Sequence, residues 1–270
     1  MKTVQLLMLA VCLLCATSSP AVLAKEKLVV TGSSTVAPLV SEIARAYEAR
    51  HPGARIDVQT GGSSRGIADA RAGLADIGMV SRALKPDEAD LLAATIARDG
   101  IAVILHANNP VQRLSDTQIA QIYTGAIRNW KDVGGRTAPI TVIHKAEGRS
   151  TLELFLAYFK LAAERIKPSV VIGDNQQGIK TLAGNPDGIA YVSIGSAEVE
   201  AEAGTPIKLL PLAGIAPTTA SVKDGRFPLS RPLNLVTRGT PTGLGKAFID
   251  FARSKAVHHL VLEQAFVPVD

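Results

Sequence analysis

The sequence predicts an α/β fold. Short aliphatic runs such as Leu28-Val29-Val30 alternate with stretches whose apolar residues recur at helical spacing. That alternation repeats along the chain, the pattern of parallel sheets covered by helices. At 270 residues, the chain is long enough for one or two globular domains. It is 47% hydrophobic and 20% charged, which excludes a disordered chain that could not bury enough apolar surface to offset its ordering entropy. Aromatics are few, 6 Phe, 4 Tyr and 1 Trp, whereas a platform for sugars or single-stranded bases uses more. The formal charge is +5 with no long Lys/Arg run. A small anion suits that charge better than a nucleic-acid backbone does, so no nucleic-acid partner is expected.

The first segment reads as an address. Lys2 precedes an almost wholly apolar stretch over 3–16, Ser18-Ser19-Pro20 breaks it, and Val22-Leu23-Ala24 offers small residues for cleavage. Residues 1–24 are expected to be a cleaved signal peptide, too short in their apolar run to span a bilayer. Cys12 and Cys15 both lie in it, preceded by Val11 and Leu14 rather than the small residue a lipoprotein signal needs. The remainder has no cysteine, so no disulfide or thiol chemistry is expected of it. Loss of Lys2 lowers the charge from +5 to +4. An exported protein of the periplasm is expected.

After the Leu28 strand, Val36, Leu39, Val40, Ile43 and Tyr47 mark a helix over 36–50, stopped by His51-Pro52-Gly53. A strand over 55–59 follows, then a helix through 67–72, then strands over 76–80 and 101–105. Beyond Asn108-Asn109-Pro110 the reading gives a strand over 140–143, a helix over 150–161 and a strand over 188–192. Residues 211–226 read as a loop, 232–237 as a strand and 242–256 as a helix.

Three turns share one design, each set between a strand and a helix. They are Thr31-Gly32-Ser33-Ser34-Thr35, Gly61-Gly62-Ser63-Ser64-Arg65 and Glu147-Gly148-Arg149-Ser150-Thr151. A helix N-terminus offers unpaired N–H groups and partial positive charge, hydroxyls add donors, and Gly permits close approach. One such turn alone is ordinary N-capping. Three in one chain, two of them carrying Arg, point to a shared oxyanion cradle. Gly62-Ser63-Ser64-Arg65-Gly66 also fits the loose G-x-S-x-G elbow of a serine hydrolase using Ser64, with His144, His258 and His259 downstream. The segments 173–180 and 239–246 imitate phosphate loops with one residue too many before Lys. The five His have no metal-ligand spacing, and neither a metal nor a cofactor is expected. Tyr123 and Trp130 read as packing residues.

Several segments together resemble the phosphate-binding proteins of bacterial phosphate ABC transporters (PstS-like). They are TGSSTVAP at 31–38, GGSSRGIADARAGLADIGMVSRAL at 61–84, LSDTQIAQIYTGAIRNWKDVGG at 114–135, then GNPDGIAYVSIG, FPLSRPLNLVTRG and the terminal AFVPV. The resemblance implies a type II periplasmic-binding fold of two α/β domains with a hinge between them. Domain I would take 25–104 plus 230–270, and domain II 105–229. It implies a monomer that captures inorganic phosphate and delivers it to an inner-membrane ABC permease, with no enzymatic role. The implied ligand-binding residues are Ser34, Thr35, Val36, Ser63, Ser81, Arg82, Arg149, Ser150 and Thr151. Two positions depart from the family pattern. Lys145 stands where the family has an Arg, which Arg149 is expected to replace, leaving Lys145 a rim charge. Ser81 stands where longer members have an Asp that accepts the proton of hydrogen phosphate, with Glu147 or Asp76 as substitute acceptors. Another oxyanion, such as sulfate, molybdate or tungstate, therefore stays open as the ligand.

Overall fold

Each turn rich in Gly, Ser and Thr falls where a strand hands over to a helix. The computed structural model describes residues 26–269, and the expected signal peptide lies outside the described residues. The chain begins with β1 (Glu26–Gly32), α1 (Ala37–Arg50), β2 (Ala54–Thr60), α2 (Ser63–Ala72) and β3 (Ile77–Val80). These are close to the elements the spacing predicts. The long β4 (Leu91–His106) follows, then α3 (Asp116–Tyr123), β5 (Thr141–Lys145), α4 (Ser150–Tyr158), β6 (Val170–Ile172) and α5 (Asn175–Ala183). The remainder is β7 (Gly188–Ser193), α6 (Ile194–Glu202), β8 (Ile207–Leu209), α7 (Thr219–Lys223), β9 (Ser230–Arg238), α8 (Gly243–Ala252), α9 (His258–Glu263) and β10 (Val267–Pro268).

The sheet runs β2-β1-β3-β9-β4-β7-β5-β6, with β8 and β10 also paired to β4. It is mixed rather than wholly parallel. β1 is parallel to β2 and β3, and β5 to β6 and β7, but β9 is antiparallel to β3 and β4, and β4 to β7. The expected strand over 101–105 extends back to Leu91. That extension, LLAATIARDG, carries Ala, Arg, Asp and Gly with low strand propensity, and its pairing along β9 overrides that local preference. The expected loop over 211–226 contains the short α7, and the expected helix from Ser150 ends at Tyr158.

β4 changes partners midway. Leu91 through Gly100 pair with β9, whereas Ile101 through Leu105 pair with β7. The side chains follow the same division. Ile96 and Ala97 join a core with Leu28, Leu39, Ile43, Met79, Leu235 and Phe248. Ile101 through Leu105 join another with Tyr123, Trp130, Phe155, Ile179 and Tyr191. Tyr123 and Trp130 are wholly buried, as packing residues should be.

A second local feature of β4 positions the site. Its register against β9 shifts by one residue between Thr95 and Ala97, a bulge. Past it, Asp99 lies directly opposite Arg231. Without the extra residue, Asp99 would face Ser230 instead.

Three glycines bring α2 down onto the ends of β1 and β3. A Cβ on Gly32, whose φ is +133°, would stand 2.4 Å from the Met79 carbonyl oxygen. A Cβ on Gly66 would stand 2.7 Å from that same oxygen and 3.0 Å from the Thr31 oxygen, and one on Gly78 would stand 2.4 Å from the Gly66 oxygen. All these obstacles are backbone, which cannot rotate away. Gly66→Ala improves helix propensity by about 1 kcal/mol, yet it must push α2 off the sheet, and overpacking of this kind costs about 1–3 kcal/mol. Urea unfolding of Gly66→Ala should therefore show a net loss of stability; a gain would mean that α2 does not sit this close.

Candidate anion-binding site

The first turn is organised by Ser33, buried at the end of β1. Its Oγ accepts the N–H groups of Thr35 at 3.2 Å and Val36 at 3.4 Å, and donates to Ser81 Oγ at 3.0 Å. In the second turn Ser63 Oγ accepts Ser81 N–H at 3.2 Å. Ser81 follows β3, so the adjacent parallel strands β1 and β3 deliver these hydroxyls side by side. The third turn ends at α4, where Ser150 and Thr151 are buried.

Arg231, at the start of β9, ties the first and third turns to Ser81, which in turn holds Ser63 of the second. Its Nη1 donates to Thr151 Oγ1 at 2.9 Å and Ser81 Oγ at 3.4 Å, and its Nη2 to Thr35 Oγ1 at 3.4 Å. Asp99 Oδ2 holds the fork from behind, accepting Nε at 3.1 Å and Nη2 at 2.8 Å. The Arg231 and Asp99 side chains are 1% and 0% exposed. On the other flank, Lys145 Nζ donates to Asn175 Oδ1 at 3.0 Å, and Asn175 Nδ2 donates to Thr35 Oγ1 at 3.3 Å. Thr35 and Thr151 thus accept from cationic or amide donors and keep their own hydrogens free to donate. Ser150 Oγ and Arg149 Nε are buried without a partner. A buried donor left unmet costs free energy, so these atoms mark a place that an acceptor would fill.

The electrostatics agree. Burial pushes the Lys145 ammonium down to about 7; Asp174 opposes the shift, and Arg231 and Arg149 add to it. Three basic side chains therefore share one neighbourhood, and Asp99 is the carboxylate buried among them. Its Oδ1 takes Gly195 N–H at 3.4 Å and its Oδ2 takes Arg231, so it is not open to a ligand. His144 is buried too and burial pushes it down to about 4, leaving it neutral. It pairs with Tyr191 Oη at 3.0 Å, while that oxygen accepts Lys145 N–H at 3.2 Å. Tyr191 itself stacks on Phe155 at 3.9 Å between ring centroids. The aromatic core thereby holds the backbone of Lys145 in place.

Of the residues expected from sequence, the structure brings Thr35, Val36, Ser63, Ser81, Ser150 and Thr151 together. Ser34 is half-buried and lines a cavity of about 460 Å³ beside the cluster, with Thr35, Asn175, Ser196 and Gln264. Arg149 is half-buried, and its Cδ lies 3.1 Å from where a Cβ on Gly62 would stand. Arg82 requires correction. Both its Nη atoms go to Glu88, at 2.6 and 2.7 Å, and its Nε goes to Glu153 at 3.0 Å, so its fork is filled by carboxylates. Lys145 is not a rim charge, being 3% exposed within the cluster. Asp76 is exposed and accepts Val29 N–H at 2.7 Å, and Glu147 is exposed, so neither is the substitute acceptor. Ser64 is exposed and bonds Glu153 at 3.3 Å, which gives the hydrolase alternative no nucleophile–histidine pair.

Sequence reasoning missed Arg231, Asp99 and Asn175. Arg231 sits inside FPLSRPLNLVTRG, where a lone charge between Ser and Pro at a strand start was the available signal. Asn175 opens α5 after β6, a fourth strand–turn–helix junction without the Gly/Ser/Thr run of the other three. Asp99 carries no local signal, because its role depends on the bulge.

Comparison with known proteins places this geometry. A family model described as the PBP superfamily domain matches residues 17–256. The phosphate-binding protein PstS of Bacillus subtilis (strain 168) is 27% identical over 253 residues, covering 91% of this chain and 82% of that protein. Among solved structures, a phosphate ABC transporter substrate-binding protein with bound phosphate from Clostridium perfringens superposes with a TM-score of 0.84. It is 32% identical, and the match covers 91% of this chain and all of that one. An ABC-type phosphate transport receptor from Vibrio cholerae superposes with a TM-score of 0.72 at 28% identity, over 90% of this chain and all of that one. With its mixed α/β sheet, its hydroxyl-lined strand ends and a match over most of its length, the chain belongs to the PBP superfamily, where its similarity is to PstS-like phosphate-binding proteins.

Proposed function

We propose that this chain is an exported solute-binding protein that captures inorganic phosphate and delivers it to an ABC-transporter permease. The observation that carries the reading is the Arg231 fork. It is a buried guanidinium aimed at Thr35 of the first turn, Thr151 of the third and Ser81 beyond β3, in a neighbourhood where Lys145 and Arg149 add positive charge and the buried carboxylate, Asp99, is already engaged. A tetrahedral oxyanion supplies the acceptors that the Thr35 and Thr151 hydroxyls, Ser150 Oγ and Arg149 Nε around that fork lack. The names of the similar proteins support phosphate as that anion. In this reading the two cores belong to two domains, and β4 at Gly100–Ile101 and the chain at Leu229–Ser230 form the hinge. Thr35, Ser63 and Ser81 then lie on one side of the anion, Ser150, Thr151, Lys145 and Asn175 on the other, and Arg231 at the hinge.

Removal of Arg231 leaves the anion without its central charge-assisted donor. Loss of one partner from a buried charged pair costs about 2–5 kcal/mol. Calorimetry on Arg231→Ala should show phosphate affinity down by about 30-fold or more, with a smaller loss for Arg149→Ala. The reverse order would move the central role to Arg149. Asp99→Asn serves as a companion, since it loosens the fork without removing it.

Selectivity follows from where the carboxylates stand: the buried Asp99 is fully engaged, and the half-buried Asp174 caps α5 by accepting Gln177 N–H. A proton on phosphate has hydroxyl oxygens to meet here, and among the described residues sulfate meets no buried carboxylate that is free to face its lone pairs. Sulfate should therefore displace bound phosphate at millimolar concentration in a competition titration. Failure of sulfate to compete would show that a repelling acceptor exists.

Lys145 predicts a pH dependence. In the unfolded chain its ammonium keeps its proton to about pH 10.4, whereas in the folded protein it releases it above about 7. Between these values the unfolded state binds more protons, so stability rises with pH, by up to roughly 1 kcal/mol per pH unit. Ligand-free melting from pH 7 to pH 9 should show that rise in the wild type relative to Lys145→Met. Saturating phosphate should flatten it, because the bound anion holds the proton on Lys145.

A further inference from the structure

A second group of charges joins the two core-bearing bodies without entering the anion cluster. Its centre is Glu153 on α4, between Leu152 and Leu154 of the Ile101 core. Three donors from the other body converge on its carboxylate. Arg82 Nε approaches Oε2 at 3.0 Å, Lys85 Nζ approaches Oε2 at 2.7 Å, and Ser64 Oγ donates to Oε1 at 3.3 Å. Alongside, Ser64 N–H donates to the Gly148 carbonyl at 3.2 Å, and a Cβ on Gly62 would stand 2.5 Å from that oxygen.

Arg82 is prepared for this contact. Glu88 occupies both Nη atoms, takes the Lys85 N–H at 2.8 Å, and is itself buried. The Arg82 backbone oxygen accepts Asn234 Nδ2 at 2.8 Å. Arg82 thus stays fixed on its own body whether or not Glu153 is near, with only Nε facing outward. Glu153 is 23% exposed in its side chain and Lys85 47%, so their charges are partly in water.

We infer that Glu153 is a closure latch, a positioning residue that sets anion affinity by holding the two bodies together while touching no anion. The inference rests on the phosphate-capture reading above. If the binding-competent state is the closed one, apparent affinity falls with its population. Opening breaks all three bonds to Glu153 and leaves the Arg82–Glu88 pair intact, so the latch can be remade at each closure. Contacts made only after closure act on release rather than on encounter.

The test uses the chain from Lys25 onward with inorganic phosphate as the probe. Glu153→Gln keeps the shape and removes the charge, and Lys85→Met removes one exposed donor and leaves the fold intact. Glu153→Gln should raise the phosphate dissociation constant about tenfold, carried by faster release with unchanged association. Lys85→Met should do the same to a smaller extent, and Glu153→Gln should raise the ligand-free radius of gyration in solution scattering. Ligand-free melting temperatures near that of the wild type separate this from a general loss of stability. Dissociation constants within twofold of the wild type in both variants, or a change carried by slower association, overturn the latch. A wild type that binds no phosphate overturns the capture reading instead, and the ligand-free scattering comparison then decides the latch by itself.

Discussion

Arg231 and Asp99 are ionised side chains at positions that water barely reaches. Removing two such charges from water costs several kcal/mol each, repaid only when geometry and hydrogen bonding are complete. Here Asp99 accepts two of the guanidinium N–H groups and a backbone N–H from α6, while Arg231 spends its remaining donors on Thr35, Ser81 and Thr151. The pair is thus poor evidence for stability in itself. Its consequence is orientation, because a fork clamped from behind has one direction left in which to donate. That direction is where Thr35, Ser81 and Thr151 meet.

The pair depends in turn on strand register. Asp99 and Arg231 are direct cross-strand neighbours because one bulged residue in β4 shifts the pairing. The same stretch of β4 changes partner from β9 to β7 a single residue later. Register, change of strand partner and charge pair are consequently one feature. The glycine contacts among Gly32, Gly66 and Gly78 do comparable work on the other side by letting α2 approach closely enough for Ser63 to reach Ser81.

Charge is then divided by function. The candidate anion cluster holds basic groups with its buried carboxylate engaged and Asp174 at its edge capping α5, which suits a ligand that brings the negative charge. The neighbouring Arg82, Lys85, Glu88 and Glu153 group is internally matched. Two arginines separated by little sequence from the turns therefore differ in role. Arg82 is saturated by carboxylates, and Arg149 keeps a buried, unpartnered Nε.

The α/β class, the helices α1 and α2, the strand ends and the hydroxyl turns were legible in the sequence. They are local properties: helical spacing from Val36 to Tyr47, stop signals at His51-Pro52-Gly53, and Gly/Ser/Thr runs between strand and helix. The resemblance of the quoted segments reached the family for the same reason, since motifs are stretches of contiguous chain. Only the tertiary structure decided which cations stand at the cluster. Arg82 lies one residue from Ser81 yet turns to Glu88, whereas Arg231 comes from 150 residues away in sequence. Lys145 looked like a rim charge until the Tyr191 and Asn175 contacts placed it inside. Asp99 had no signal at all, because a bulge between Thr95 and Ala97 changes which side chains face each other without marking the residues it aligns. Long side chains choose partners by the distance across the fold, and that distance is set by pairing and packing rather than by neighbours in the chain.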